Sequence, residues 1–146
     1  MSMTSPCLYI LARIISDTGL LVLIWIVQLV IYPSFRYYEP QNLKNWHDAY
    51  TKRITVVVMP LMLLQLCLSI YAFVSGMDDA MQIVDTLFVL LTWVTTFVIF
   101  VPLHGLITQQ KQVTSSVKKL VYYNWIRTFL WSAIFALTIY GVLFSK

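Results

Sequence analysis

Charge is scarce in this chain of 146 residues: 11% of the residues are Asp, Glu, Lys or Arg, whereas 60% are hydrophobic. A water-soluble domain carries about a quarter of its residues as charged side chains. The composition therefore excludes a soluble globule and indicates that lipid surrounds the fold. Glycine and proline are also few, at four and five residues, which excludes a collagen-like or low-complexity chain. We treat residues 1–146 as a single domain.

Cysteine is nearly absent, and the common catalytic motifs are missing altogether. Cys7 and Cys67 lie far apart in the sequence, with no C-x-x-C pair and no zinc-type spacing with histidine. A dithiol redox centre is therefore not expected, and Cys67 is predicted to be a small core residue. The chain also lacks G-x-S-x-G, H-E-x-x-H and a Walker loop. Serine hydrolase, zincin and P-loop chemistry thus lack their residues.

Four apolar segments are each long enough to cross a bilayer, which takes about 20 residues at a rise of about 1.5 Å each. They predict helices over about residues 9–32, 50–75, 83–103 and 122–144. Pro33 is expected to end the first helix, Gly76 the second, and Pro102 with Gly105 the third. The predicted fold class is all-α: an integral membrane four-helix bundle.

The basic residues predict the orientation of this bundle, because loops rich in Lys and Arg stay in the cytoplasm. Eight of the ten lie in or beside the first and third loops: Arg36, Lys44, Lys52, Arg53, Lys111, Lys118, Lys119 and Arg127. The second loop has Asp78 and Asp79 and no basic residue, while Arg13 and Lys146 remain near the termini. We expect both termini on the outer side of a bacterial inner membrane. Topology accounts for the net charge of +4, so no nucleic-acid partner is expected.

Polar residues inside the spans mark the candidate site, because each costs roughly 2.5 to 3.5 kcal/mol or more in lipid. His47 and His104 fall at the loop end of the bundle with Arg53, Asn124 and Arg127. Imidazole can ligate a metal or haem iron, or carry protons near neutral pH. Arginine can clamp a carboxylate or phosphate. These five residues are the predicted catalytic set, and the two histidines are the predicted cofactor ligands, with haem as one candidate cofactor.

Each of these residues also has a structural interpretation. An interfacial histidine is commonly a hydrogen-bonded side chain, and Arg53 and Arg127 could be membrane anchors. Further along the spans, Asp17 and Gln65 are predicted at the same depth, where a hydrogen bond between helices would contribute about 1 kcal/mol. Asp85 is predicted to share a stripe of the third helix with threonines.

Four stretches carry a resemblance to known families: YPSFRYY, WHDAYTKRITVVVMPLM, VPLHGL and YNWIRTFLW. In this order they resemble small four-helix bacterial membrane proteins near the anthrone-oxygenase-like group. The resemblance implies His47, Arg53, His104, Asn124 and Arg127 as site residues. The layout is also similar to the haem-associated membrane protoporphyrinogen oxidases. Those enzymes look to carry a histidine in the first helix, and this chain has none there.

Three functional hypotheses follow from the sequence. The first is a membrane oxidoreductase or cofactor-binding enzyme acting on a lipophilic small molecule, with His47 and His104 as ligands or acid–base groups. The second is a small proton-coupled transporter that uses Asp17 and works as a homo-oligomer. The third is a non-catalytic accessory or assembly subunit whose polar residues lock the helices together. Beyond the lipid bilayer, the sequence leaves partners and substrate open.

Overall fold

The computed structural model describes residues 4–76 and 80–144, and four long helices account for nearly all of them. α1 begins as Thr4–Ile26 and continues through a π-helical turn, Val27–Ile31, into Tyr32–Ser34 and Phe35–Tyr37. α2 is Pro40–Val74. α3 is Ala80–Thr95, a second π-helical turn Thr96–Phe100, and Val101–Thr108. α4 is Val113–Phe144.

All four helices are long and apolar enough to cross a membrane, and their outward surfaces are made of large hydrophobic side chains. Leu29, Val56, Phe97 and Phe129 are examples of such exposed residues. In water this surface would be strongly unfavourable, whereas lipid tails accommodate it. The predicted all-α integral membrane four-helix bundle is confirmed. Cys67 lies on this exposed surface, so its predicted place in the core is wrong, because lipid receives a small apolar side chain as well as a core does.

The helices follow one another around the bundle. α1 packs against α2 and α4, and α3 packs against the same two helices. Because the connections are short, neighbouring helices run antiparallel. One end of the bundle therefore carries the α1–α2 and α3–α4 connections, and we call it the loop end. The other, which we call the terminal end, carries the start of α1 and the end of α4. Which end faces the cytoplasm stays a prediction, and Asp78, Asp79 and Lys146 lie outside the described residues.

The helices extend further at the loop end than the hydropathy pattern predicted. α2 begins at Pro40 rather than near residue 50, and α4 begins at Val113 rather than near residue 122. The added turns are polar on one side, as in the stretch QNLKNWHDAY. A search for apolar runs misses such turns, because they lie where a helix can meet water or headgroups. His47 thus belongs to a regular helix rather than to a loop.

Neither Pro33 nor Pro102 ends its helix, so both predicted helix ends are wrong. A π-helical turn precedes each proline by the same spacing, Val27–Ile31 before Pro33 and Thr96–Phe100 before Pro102. Proline cannot donate to the carbonyl four residues earlier, and its ring crowds that carbonyl. In both helices the crowded carbonyl belongs to the π-helical turn, whose wider backbone gives the ring room. The helices therefore continue beyond both prolines to the loop end.

Candidate functional site

The two histidines of the chain meet at the loop end. Nε2 of His47 on α2 lies 2.7 Å from Nδ1 of His104 on α3, and the ring centroids are 4.9 Å apart. His47 is fully buried, and the ring of Phe35 packs edge-on against it. At this distance one ring donates an N–H and the other accepts it. The pair therefore holds one bridging proton.

Hydrogen bonds continue from the pair in both directions. On the buried side, the hydroxyl of Tyr32 lies 3.1 Å from Nε2 of His104. On the other side, Nδ1 of His47 lies 3.4 Å from the Thr108 hydroxyl and 3.7 Å from a carboxylate oxygen of Asp48. Thr108 donates to that oxygen at 2.9 Å, and the Asp48 side chain is 34% exposed. We call Tyr32, His104, His47, Thr108 and Asp48 the histidine relay, since it joins a buried hydroxyl to the accessible loop end.

Arg127 lies beside the buried end of the histidine relay. Its guanidinium carbon is 4.4 Å from the ring centroid of Phe100 and 4.8 Å from that of Trp131. The residue is 8% exposed, and no carboxylate of the described residues forms an ion pair with it. The hydroxyl groups of Tyr32 and Tyr50 interact with it electrostatically. Its Nε has no hydrogen-bond partner in the part of the chain that the structure describes.

Asn124, one turn before Arg127 on α4, also has a buried polar atom that makes no hydrogen bond with the described residues. The amide nitrogen of Gln28 donates to the backbone carbonyl of Val121 at 3.3 Å, which fixes the orientation of the Gln28 amide. The Gln28 oxygen then accepts a hydrogen bond from Asn124 Nδ2 at 2.9 Å. This leaves Asn124 Oδ1 buried without a partner among the described residues. The orientation of both amides thus follows from one backbone carbonyl.

The unpaired atoms of Arg127 and Asn124 are complementary in type. Residues three apart share a face of a helix, and both side chains are buried. Arg127 Nε is a donor that needs an acceptor, and Asn124 Oδ1 is an acceptor that needs a donor. Unpaired buried polar atoms are rare in proteins and call for a partner. We call these two residues the Arg–Asn site, since together they offer one unpaired donor and one unpaired acceptor among the described residues.

Arg53 does not join the other predicted site residues. It is exposed on α2 and makes no hydrogen bond or ion pair with the described residues. Each residue of an α-helix advances by about 100°. His47 and Tyr50 are three residues apart and both buried, but a further step of three carries Arg53 about 120° away from His47. Arg53 therefore lies away from the side of the helix that carries His47 and Tyr50.

Sequence reasoning also missed several members of the site. Tyr32, Asp48 and Thr108 were not predicted as partners of the histidines, nor Phe100 and Trp131 as partners of Arg127. The sequence signal for Tyr32 is its place beside a proline at the end of an apolar run, as for His104 in VPLHGL. No pattern in the sequence shows the preceding π-helical turns, which set the direction of both side chains.

The geometry of the histidine pair does not fit a haem iron between the two rings. A metal–imidazole bond is roughly 2 Å long, so two ligands on opposite faces of one haem stand about 4 Å apart. The facing nitrogens of His47 and His104 are 2.7 Å apart and bonded to each other. The described residues also contain no group of three or more His, Cys, Asp or Glu side chains that could hold a metal ion. The residues present therefore support acid–base chemistry better than haem ligation.

A second polar cluster lies at the terminal end of the bundle. Arg13 is paired with Asp85 at 2.7 Å and with Asp17 at 3.3 Å. Asp17 also accepts hydrogen bonds from Gln65 at 2.6 Å and from Thr138 at 2.7 Å, so the predicted bond between Asp17 and Gln65 is confirmed. The role of Arg13 was not predicted from the sequence, although its spacing of four residues from Asp17 is the spacing of a helical ion pair. We call Arg13, Asp17 and Asp85 the acidic cluster.

One tryptophan connects the two ends of the bundle. Trp131 Nε1 donates to the oxygen of Gln65 at 3.2 Å, and Gln65 in turn holds Asp17. The ring of the same tryptophan packs against the Arg127 guanidinium. Polar contacts thus run along the bundle from the acidic cluster to the Arg–Asn site.

Comparison with protein-family models, with curated proteins and with solved structures finds no match to this chain. The resemblances drawn from its short motifs therefore stay predictions.

Proposed function

We propose that this protein is a membrane-embedded acid–base enzyme, in which His104 exchanges a proton with a lipophilic substrate and His47 exchanges it with the loop end. The observation that carries the proposal is the direct bond between His47 Nε2 and His104 Nδ1. Histidine is the side chain best suited to proton transfer near neutral pH. Two histidines in series, with the buried Tyr32 hydroxyl at one end and the accessible Asp48 carboxylate at the other, form a path for protons.

The histidine relay can move one proton through paired tautomer changes. At the start, His104 donates its Nδ1–H to His47, and His47 directs its Nδ1–H towards Thr108 and Asp48. A proton that the substrate delivers to His104 Nε2, in place of the hydrogen bond from Tyr32 found there, releases the Nδ1 proton to His47 Nε2. His47 then releases its own Nδ1 proton to the Asp48 carboxylate. One proton enters, one leaves, and both rings stay neutral overall.

The Arg–Asn site defines the class of substrate in this proposal. Arg127 Nε would donate to an oxygen that gains negative charge, and Asn124 Oδ1 would accept from a neighbouring hydroxyl group. A fixed cation in a site of low dielectric constant stabilises a developing oxyanion strongly. The proposed reaction is therefore removal of a proton from carbon beside a carbonyl group, with enolate formation, in a lipophilic hydroxy ketone.

The alternative of a proton-coupled transporter relies on Asp17, and the contacts of Asp17 favour it less. Oδ1 accepts from Gln65, and Oδ2 accepts from Thr138 and pairs with Arg13. A carboxylate held on both oxygens serves as a structural connection between helices.

The test is deuterium uptake from heavy water by a long-chain α-hydroxy ketone, followed by mass spectrometry with protein in nanodiscs. We expect uptake above that of empty nanodiscs, and a fall of about 10²- to 10⁴-fold in His104→Gln, the usual contribution of a general base. Arg127→Gln should lose rate because the enolate is no longer stabilised. Arg53→Gln is the matched control, since Arg53 is exposed, and should stay within about twofold. Equal uptake by wild type and His104→Gln would contradict the proposal.

A further inference from the structure

A cavity of about 420 Å³ opens at the terminal end between α1, α3 and α4. This volume is within the usual range of small-molecule sites, about 300 to 1,000 Å³. Its walls are mainly apolar and aromatic, with Ile10, Leu137, Val142 and Phe144 among them. Arg13 and Asp85 of the acidic cluster form the buried, charged part of the lining. The cavity is therefore an apolar chamber with ionic groups at one place.

The charges of the acidic cluster do not balance. The acidic cluster has one arginine for two aspartates, and all three side chains are at least nine-tenths buried. A surplus negative charge away from water is costly unless a cation or a proton compensates it. Among the described residues no further cation pairs with this cluster. With both aspartates ionised, the cavity thus offers charge complementarity to a cation.

The two carboxylates differ in how completely they are bonded. Asp17 has a short hydrogen bond on each oxygen, from Gln65 and from Thr138. Asp85 has a short bond on Oδ1, from Arg13, but on Oδ2 only a 3.4 Å contact with the Ser69 hydroxyl. Asp85 lines the cavity, and Asp17 is not part of its lining. The carboxylate with capacity for another hydrogen bond is therefore the one that lines the cavity.

We propose that this cavity binds a lipophilic primary amine, with its ammonium group on Asp85 Oδ2 and its hydrocarbon tail along the apolar walls. Tyr9 and Tyr140 also line the cavity, and aromatic rings attract ammonium groups through their faces. A phospholipid that carries an amine also carries a phosphate, which would add negative charge beside the acidic cluster. The charge balance thus favours an amine without a phosphate. This site is at the opposite end of the bundle from the histidine relay and does not depend on the proposed enzyme activity.

The test is binding of tritiated decylamine to the full-length protein in phosphatidylcholine nanodiscs, with displacement by unlabelled decylamine, decanol or decyl sulfate. We expect saturable binding that decylamine displaces and that decanol and decyl sulfate do not. Asp85→Asn should weaken binding by about 10- to 100-fold, as the loss of a charge-assisted hydrogen bond does. Asp48→Asn is the control, because it removes a carboxylate at the other end of the bundle.

A second variant tests the cavity without touching the charges. Gly141 lines the cavity, and a Cβ atom added there meets nothing within 4 Å. Gly141→Leu should therefore occupy the chamber and abolish binding while the acidic cluster stays intact, and it decides the matter if Asp85→Asn does not fold. Displacement by decanol as effective as by decylamine would overturn the proposal, as would undiminished binding in Gly141→Leu. Loss of decylamine binding in nanodiscs containing phosphatidylethanolamine would instead assign the site to an aminophospholipid and overturn the choice of a free amine.

Discussion

Arg13 and Arg127 are both buried in the bundle, but only Arg13 has carboxylate partners among the described residues. Arg13 is held by Asp17 and Asp85, whereas Arg127 lies against the rings of Phe100 and Trp131. In the first arrangement one cation is held by two carboxylates. The second leaves a cation whose cost the fold bears without an internal acid. The two arginines should therefore respond differently to substitution.

Replacing Arg13 should destabilise the protein strongly. Arg13→Gln leaves two buried carboxylates without their cation, and breaking a buried pair in this way costs about 3 to 5 kcal/mol. The measurement is the free energy of unfolding in mixed micelles. A double variant, Arg13→Gln with Asp85→Asn, should recover part of the loss, because it removes one of the uncompensated charges. An Arg13→Gln variant as stable as wild type would show that the cluster contributes little.

Replacing Arg127 should leave stability nearly unchanged. Arg127→Met keeps much of the side-chain volume and removes a buried cation whose desolvation cost no acid partner offsets, so the substitution should cost little stability. The same variant should lose the proton-transfer activity, since stability and function oppose each other at such sites. The free energy of unfolding and the deuterium uptake are measured on one preparation. A large loss of stability would mean that the aromatic and tyrosine contacts make Arg127 a structural residue.

Variants along the histidine relay should show graded losses of activity. His104→Gln removes the group nearest the substrate and should lose most. His47→Gln interrupts the path one step further out, because an amide does not exchange protons between its two ends as imidazole does. Asp48→Asn should lose least, since its side chain is 34% exposed and water can accept the proton in its place. The rates of deuterium uptake rank the three variants, with substrate binding as the control. A larger effect at Asp48 than at His104 would contradict the proposal that His104 is the residue that exchanges a proton with the substrate.

Proline at position 102 should be required for the alignment of the histidines. Pro102→Ala supplies the N–H that proline lacks and favours a regular α-helix across Thr96–Phe100. Loss of the extra residue of the π-helical turn would rotate His104 by about 100° relative to the start of α3. We expect the bond to His47 to break and the nitrogen-15 spectra of both imidazoles to change. Gly105→Ala, at a position with open space, is the control. Unchanged imidazole spectra in Pro102→Ala would show that packing, rather than the proline, maintains the turn.

The sequence was sufficient for the number of helices and their approximate spans, because a long apolar run has few other solutions in a membrane. It also brought His47, His104, Asn124 and Arg127 to one end of the bundle, since depth follows from the distance to a helix end. Their roles stay predictions. The side of a helix on which a residue lies is harder to infer from the sequence than its depth in the membrane, as the exposed Arg53 shows.

The remaining errors share a physical cause: they depend on what a side chain meets on other helices. In the sequence, Arg13 looked like a basic residue that flanks a membrane span. Its ion pair with Asp85 forms only when α1 and α3 pack together. Pro33 and Pro102 looked like helix ends because the rule for proline assumes a regular α-helix. In a π-helical turn that assumption does not hold, and such a turn has no characteristic amino-acid composition by which the sequence would show it.

The unequal partners of the buried arginines also make the bundle an electrical dipole. With its ionisable groups charged, the acidic cluster carries a formal surplus of one negative charge at the terminal end, and Arg127 carries one positive charge towards the loop end. A transmembrane voltage acts on such a separation with up to roughly 2.3 kcal/mol per elementary charge per 100 mV for a full crossing. If the loop end faces the negative interior, as its basic residues predict, the resting voltage favours this arrangement of charges. A proton entering the histidine relay would then feel the same voltage, so the activity of the protein should depend on whether the membrane is energised.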